Sequence, residues 1–293
     1  MIDLLLCFDD EWPLAARVAK AAGVPCEQVV RHRFPDGELK LRLPPSLPSR
    51  VGMLRGLDHP NEKLVELLFC ARTARTLGAG RLVLLAPYLG YMRQNIAFTP
   101  GEVVSQHVVG EFLASLFDAV VTVDPHLHRV SRLSEAVPVA QALALSAAPL
   151  LAELIAERRP GAMLLGPDAE AAQWVAAAAR SHAFDHGVCS KQRHGDREVH
   201  VTLPDMAFAG RQVVLIDDVA SSGRTLAVAA AQLLAAGASS VDVAVTHALF
   251  ADDALQTVRA AGVGEVWSTD CIAHPSNAVG VAPMLAQALR DLK

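Results

Sequence analysis

Asp217 and Asp218 stand side by side where the apolar run Val213-Val214-Leu215-Ile216 stops, and Val219-Ala220-Ser221-Ser222-Gly223-Arg224-Thr225 follows. Paired carboxylates suit sugar hydroxyls or a hydrated Mg²⁺, and open α/β sheets place ligands at the carboxyl ends of their strands. Ser221, Ser222 and Gly223 can turn their backbone N–H groups toward one point. A helix starting near Thr225 adds the positive end of its dipole, so an anion of phosphate size is held there. The stretch is shaped for a sugar phosphate. Taken alone, an Asp-Asp-turn-helix segment serves equally well as a simple helix cap.

Other segments carry polar groups at points where strands end. Phe34-Pro35-Asp36-Gly37-Glu38 is a turn bearing one aromatic ring and two acids, and a charged surface turn is its plainer reading. Asp124-Pro125-His126 and Gly166-Pro167-Asp168 each follow an apolar run. His126 beside carboxylates can hold the hydration shell of Mg²⁺, although a structural histidine fits the same position and His126-Leu127-His128 lacks zinc-type spacing. Ser190-Lys191-Gln192-Arg193-His194-Gly195-Asp196-Arg197-Glu198 is a loop of mixed charge in which Gly195 can act as a hinge. The five cysteines are scattered, odd in number and never paired as Cys-x-x-Cys, which argues against a disulfide framework and a zinc site. No Ser-His-Asp or Cys-His nucleophile arrangement stands out.

The elements that must position these residues alternate between strands and helices. Met1–Phe8, Val29–Phe34, Leu39–Leu43, Val51–Leu54, Arg81–Pro87 and Ala119–Val123 are predicted strands of the first half. Pro13–Ala22 and Asn61–Leu77 are predicted helices, the second with Leu64, Leu67, Leu68, Ala71 and Ala74 on one face. The second half repeats the grammar. It has helices over Ala147–Arg158 and Glu170–Ser181, a strand over Ala162–Gly166, and a helix running from Thr225 to a stop at Gly237. Strands over Val241–Thr246 and Glu265–Ser268 and a last helix over Pro283–Leu292 follow. Such alternation implies an α/β fold with mostly parallel sheets.

The chain has 293 residues, a formal net charge of −5 and 52% hydrophobic content, with a mean hydropathy of +0.30. That length accommodates two domains. The net charge gives no general attraction to nucleic acid or to an anionic membrane. No apolar stretch approaches the roughly 20 residues that a membrane helix needs, and the acidic start lacks a basic leader, so a cytoplasmic location is expected.

Together these segments resemble the ribose-phosphate pyrophosphokinases, the phosphoribosyl-diphosphate (PRPP) synthetases, over nearly the whole chain. Phe34-Pro35-Asp36-Gly37-Glu38 is similar to that family's Phe-x-Asp-Gly-Glu, and Pro87-Tyr88-Leu89-Gly90-Tyr91-Met92-Arg93-Gln94-Asn95 to its Pro-Tyr-x-x-Tyr-x-Arg-Gln-Asp. Asp124-Pro125-His126 resembles Asp-Leu-His, Gly166-Pro167-Asp168 resembles Ser-Pro-Asp, and the stretch from Asp217 resembles the sugar-phosphate loop. The compact loops place the chain in a divergent branch nearer the archaeal-type members. The resemblance implies two tandem phosphoribosyltransferase-type domains, each a mostly parallel sheet flanked by helices. Residues 1–145 would carry the ATP and oligomer contacts and 146–280 the sugar-phosphate loop, while 281–293 form a helix that can cross back to the first domain.

The activity implied is transfer of the diphosphoryl group of MgATP to the anomeric hydroxyl of ribose 5-phosphate, with AMP released by a homo-oligomer. By resemblance, Phe34 and Arg93 sandwich the adenine, Asp36, Gly37 and Glu38 approach it from a neighbouring subunit, and Arg93 and Gln94 reach the phosphates. His126 and Asp168 match metal-associated positions. Lys191 and Arg193 match the basic pair of the catalytic loop, where two cations would neutralise the diphosphoryl group. A solvated charged hairpin is the alternative for that segment. Asp217 would take ribose hydroxyls with Asp218 close by, and Ser221, Ser222, Gly223, Arg224 and Thr225, with Arg193, would take the sugar phosphate. Three positions depart from the family pattern: Arg224 for a glycine, Asn95 for an acid, and Glu170 for a glycine. They motivate a second reading, a regulatory homologue that keeps the fold without turnover. A phosphoribosyltransferase that consumes PRPP is a third, disfavoured because it leaves the first half unexplained.

Overall fold

The computed structural model describes residues 1–127, 130–194 and 198–292. It divides into two compact units, Met1–Leu145 with Val281–Lys293, and Ser146–Gly280.

The first unit opens with β1 (Leu4–Cys7), α1 (Trp12–Ala22), β2 (Cys26–Gln28), β3 (Val30–Arg33), β4 (Leu39–Arg42) and β5 (Arg50–Leu54). It continues with α2 (Pro60–Thr76), β6 (Arg81–Ala86), α3 (Ser105–Ala114), β7 (Ala119–Val123), the single turn α4 (Leu133–Ala136) and β8 (Gln141–Leu145). Six strands form one sheet in the order β2-β1-β5-β6-β7-β8, every pairing parallel. β1 and β7 are buried at every residue, as strands covered by helices on both faces must be. α1 begins with proline in its first turn and stops at Gly23, whose φ of +73° is the left-handed conformation glycine adopts without strain.

The second unit contains α5 (Ala148–Arg158), β9 (Met163–Gly166), α6 (Ala172–His182), β10 (His186–Val188), β11 (Ser190–His194) and β12 (Glu198–Thr202). β13 (Gln212–Ala220), α7 (Arg224–Ala235), β14 (Ser240–Ala248), α8 (Ala254–Ala260), β15 (Val266–Thr269) and β16 (Asn277–Val279) complete it. Its sheet runs β10-β9-β13-β14-β15-β16, again all parallel. Each unit therefore orders its six sheet strands second, first, third, fourth, fifth, sixth. Each also inserts a two-stranded antiparallel hairpin between the second and third, β3–β4 in one and β11–β12 in the other. The last helix, α9 (Ala282–Asp291), belongs to the first unit. Its buried stripe of Leu285, Ala286 and Leu289 packs on α1, and Arg290 donates to the Ala21 carbonyl at 2.9 Å.

Three expectations change. Ser190–His194 is a strand and not part of an open loop: Lys191 pairs with Val201 and Arg193 with Val199 in an antiparallel ladder, because alternation along 198–202 supplies a partner strand. β13 does not stop at the carboxylates but runs through Asp217 and Asp218 to Ala220, held by β14 from Gln212↔Ser240 to Ala220↔Ala248. β8, with alanine and leucine over Gln141–Leu145, and α3 form where no element is expected; both gain order from packing on neighbours rather than from a strong pattern of their own.

Candidate active site

In the second unit, β13 leads through Ser221 and Ser222 into α7. Gly223 sits before the first helical residue with φ +67°, and a Cβ there would lie 2.8 Å from Val258 Cγ2 and 2.9 Å from the Ala254 carbonyl. The close approach of α8 therefore demands glycine at 223. With no side chain on Gly223, α7 has no side-chain cap, and its first-turn N–H groups and dipole face the corner. The corner is also pinned from outside: Phe250 donates its backbone N–H to the Ala220 carbonyl at 2.8 Å and Ala251 to that of Ser221 at 3.0 Å.

Three carboxylates gather at this end of the sheet. Asp217 accepts from the Asp218 N–H at 3.0 Å, and Asp218 is buried. β9 pairs with β13 through Leu165↔Leu215, so Asp168, just beyond β9, comes to the same end. Its Oδ1 accepts the Glu170 N–H at 3.0 Å, capping the short turn Ala169–Ala171. Burial, followed by the like charges of Asp218 and Asp168, raises Asp217 well above the usual carboxylate range. Burial likewise pushes the Cys189 thiol up to about 12, with Asp168 adding to it. Acidic charge thus accumulates beside the start of α7, an arrangement that a hard divalent cation would relieve. Asp168 and Asp217 are the oxygen donors that fit one. No group of three or more His, Cys, Asp and Glu side chains among the described residues forms a ready-made metal cage.

In the first unit, Phe34–Glu38 closes the β3–β4 hairpin. The Phe34 carbonyl accepts the Gly37 N–H and the Glu38 carbonyl accepts the Phe34 N–H, both at 2.9 Å, while Asp36 Oδ1 takes the Glu38 N–H at 3.1 Å. Pro35 fixes the turn's first dihedral, and Gly37, at φ +94°, supplies the left-handed residue that restores strand register. Phe34 is 41% exposed, with the His32 ring edge-on at 4.8 Å between centroids. The apolar ring is thus presented to solvent at the tip of an arm.

Arg93 and Gln94 follow β6. Gly90 passes so close to β5's continuation that a Cβ would sit 2.5 Å from the Leu57 carbonyl, and Met92 is buried with its carbonyl accepting from Gln106 at 3.2 Å. Arg93 is exposed between these anchors, and the Gln94 amide donates to the Ile96 carbonyl at 2.9 Å. His126 lies just past β7, half-buried, after Asp124 at φ +36°. β6 and β7 are adjacent, so Arg93, Gln94 and His126 occupy the carboxyl end of one sheet.

The expected residues thus fall in both units: Phe34, Asp36, Gly37, Glu38, Arg93, Gln94 and His126 in the first, Asp168 and the corner in the second. Lys191 and Arg193 hold defined positions on β11, and their side chains lie outside the described set; Gly195 and His128 lie outside the described residues altogether.

The first 113 or so residues of the fold, 4–116, match the family model for the N-terminal domain of ribose phosphate pyrophosphokinase, and residues 135–265 match the phosphoribosyl transferase domain. A ribose-phosphate pyrophosphokinase of Methanopyrus kandleri is 32% identical over 292 residues, covering 99% of each chain. The chain belongs to the ribose-phosphate pyrophosphokinase family. Ribose-phosphate pyrophosphokinase 2 of Archaeoglobus fulgidus is 33% identical over 94% of this chain and 95% of its own. The crystal structure of phosphoribosylpyrophosphate synthetase from Mycobacterium smegmatis is similar with a TM-score of 0.84, 25% identity and 98% coverage of both chains.

Within that family two of the three departures, at 224 and 170, are mild in structural terms. Arg224 is the first residue of α7 and is exposed; the left-handed residue is Gly223, so no glycine is required at 224. Glu170 is exposed, and its backbone N–H serves Asp168. Spacing gave no sign of a charged network beneath the β3–β4 hairpin, because its members come from four separate segments. Arg55 is buried and bidentate to Asp10 at 2.9 Å, and also reaches Glu66 at 2.5 Å. Its guanidinium lies 4.5 Å over the Phe8 ring. The available signal was an arginine set directly after the buried run Val51–Leu54.

Proposed function

We propose that the chain transfers the β,γ-diphosphoryl group of MgATP to the anomeric hydroxyl of ribose 5-phosphate, giving 5-phosphoribosyl 1-diphosphate and AMP. The sugar oxygen bonds to the β-phosphorus, the bond from that phosphorus to the oxygen bridging the α-phosphate breaks, and the hydroxyl proton leaves to solvent. The observation that carries this reading is the β13–α7 corner, where an uncapped helix N-terminus adjoins the acids Asp217, Asp218 and Asp168.

The corner residues Ser221, Ser222, Gly223, Arg224 and Thr225 hold the 5-phosphate, and Asp217 with Asp218 takes the ribose hydroxyls. Mg²⁺, when bound with ATP, neutralises diphosphate charge and polarises the reacting phosphorus. In the second unit we assign Asp168 and Asp217 to its hydration shell, and in the first His126 is the residue suited to it. Phe34 and Arg93 hold the adenine, Asp36 and Glu38 meet its edge, and Gln94 assists at the phosphates. Lys191 and Arg193 neutralise the transferred group, a contribution of roughly 10³- to 10⁵-fold in rate where a single arginine does the same in phosphoryl transfer. Self-association is part of the reading: exposed Val65 and Phe69, one turn apart on α2, give an apolar face suited to a second copy. No helix among the described residues is long and apolar enough to cross a membrane.

AMP release from ATP, Mg²⁺ and ribose 5-phosphate tests this, with phosphorus NMR to identify the product and Lys191→Ala alongside. Turnover to 5-phosphoribosyl 1-diphosphate that falls at least about 100-fold in the variant is expected. Wild-type protein that binds the sugar phosphate and releases no AMP under varied metal and phosphate would overturn it.

A further inference from the structure

The β3–β4 hairpin stands outside the six-stranded sheet, and its register divides it into two faces. Val30, His32, Lys40 and Arg42 share the exposed face, while Arg31 and Arg33 share the other with Leu41 and Leu39. An isolated two-stranded ribbon is marginal in water, so its orientation depends on what this second face touches. Leu41 packs on the first unit's core, and half-buried Arg31 makes the polar link, to buried Glu66 on one side and exposed Asp9 on the other.

Arg31 donates through Nη1 to Glu66 Oε1 at 2.7 Å and through Nη2 to Asp9 Oδ1 at 2.7 Å, with Asp10 3.4 Å away. Glu66 is 1% exposed, and its other oxygen accepts from Arg55. Arg31 and Arg55 flank the same Phe8 ring at 5.5 and 4.5 Å. One guanidinium thus fastens the arm both to α2 and to the turn after β1, three residues before Phe34. Arg33, by contrast, pairs with Glu62 where both side chains are largely in water, a contact of small worth.

We infer that Arg31 is a positioning residue for nucleotide binding, holding the Phe34–Glu38 turn at a fixed angle through Glu66 and Asp9. The inference rests on the reading of that turn as the adenine contact. Arg31 touches no substrate; it removes freedom from the arm before ATP arrives, so its loss weakens ATP capture while leaving the sugar-phosphate corner and the transfer step intact.

The test is steady-state kinetics of Arg31→Ala, Arg31→Lys and Phe34→Ala with each substrate varied. For Arg31→Ala the KM for ATP rises roughly tenfold, with kcat and the KM for ribose 5-phosphate within about twofold of wild type. Arg31→Lys, which keeps the charge but cannot fork to two carboxylates, recovers part of that loss. If circular dichroism shows Arg31→Ala unfolded, Arg31→Gln, which keeps a side-chain amide donor, decides by the same split. A KM for ATP unchanged in the Arg31 variants but raised in Phe34→Ala would overturn the positioning role and leave the adenine reading standing. An unchanged KM in Phe34→Ala would overturn both.

Discussion

In the first unit the third strand of the sheet, β5, runs out into Arg55, Gly56, Leu57, Asp58 and His59 before α2. In the second, the third strand, β13, carries Asp217 and Asp218 and runs out through Ser221 to Gly223 before α7. The residue before each helix is left-handed, His59 at φ 49° and Gly223 at φ +67°. The two corners share a path and differ in charge. In the first, the Gly56 N–H donates to Glu11 Oε1 at 2.5 Å, Lys63 bridges Asp58 and the Gly56 carbonyl, and Arg55 engages Asp10 and Glu66. A carboxyl group of the protein itself meets the backbone at that corner. In the second, burial and then the like charges of Asp218 and Asp168 raise Asp217. A duplicated scaffold thus carries an internal ion network at one corner and a cluster of acids beside a helix start at the other.

The largest expected difference lies in the left-handed residue itself. Gly223→Val places a branched Cβ against Val258 and Ala254 at an unfavourable φ, and turnover on ribose 5-phosphate should fall at least about 100-fold. His59→Gly, at the matching place in the first unit, should leave turnover within about twofold. Parallel kinetics of the two variants measures the contrast, and equal losses would erase it. Asp217→Asn keeps the shape and removes charge. It should lower kcat by roughly 100-fold and weaken the dependence on Mg²⁺ concentration, and a metal titration showing wild-type behaviour would remove Asp217 from the reaction.

Arg55 sharpens the comparison from the other side. Arg55→Met strips the buried Glu66 of one partner and Asp10 of two hydrogen bonds, so thermal or urea unfolding should show a loss of about 3–5 kcal/mol. A loss below about 1 kcal/mol would mean that the network is solvent-relaxed.

The smallest effect is a pH slope. Burial pushes the Glu11 carboxyl up to about 7 against partial compensation by Arg55, Lys63 and the Gly56 N–H, with Asp10 adding to the rise. Between the ordinary glutamate value near 4.5 and about 7, the folded chain holds a proton that the unfolded chain releases. Stability from this group therefore falls as pH rises through that window and is level above it. Melting curves of wild type and Glu11→Gln across the window should diverge in the variant's favour as pH rises; a pH-independent difference would contradict the assignment.

Much of this was legible in the residues. The run Val213–Ile216 marks a buried strand, Ser221–Gly223 marks the corner, and Gly37 after Pro35-Asp36 marks a tight turn, because in each case local chemistry and tertiary role coincide. Over Ser190–Glu198 the charges at Lys191, Arg193 and Glu198 suit a loop or a charged hairpin, and the pairing that decides for strands joins Ser190–His194 to Glu198–Thr202, which no local pattern links. The Arg31–Glu66–Arg55 network was missed because Asp9, Arg31, Arg55 and Glu66 are far apart in the chain, and Arg55 and Glu66 look like ordinary surface charges until the fold buries them. Asp168 and His126 were readable only as residues after strands; what each faces depends on the fold.

Ribose 5-phosphate binding by isothermal titration, run on wild type, Gly223→Val and His59→Gly, bears most directly on the contrast between the corners. The account predicts one sugar phosphate bound per chain, lost in Gly223→Val and retained in His59→Gly. Two bound per chain, or binding that survives Gly223→Val and disappears with His59→Gly, would contradict it.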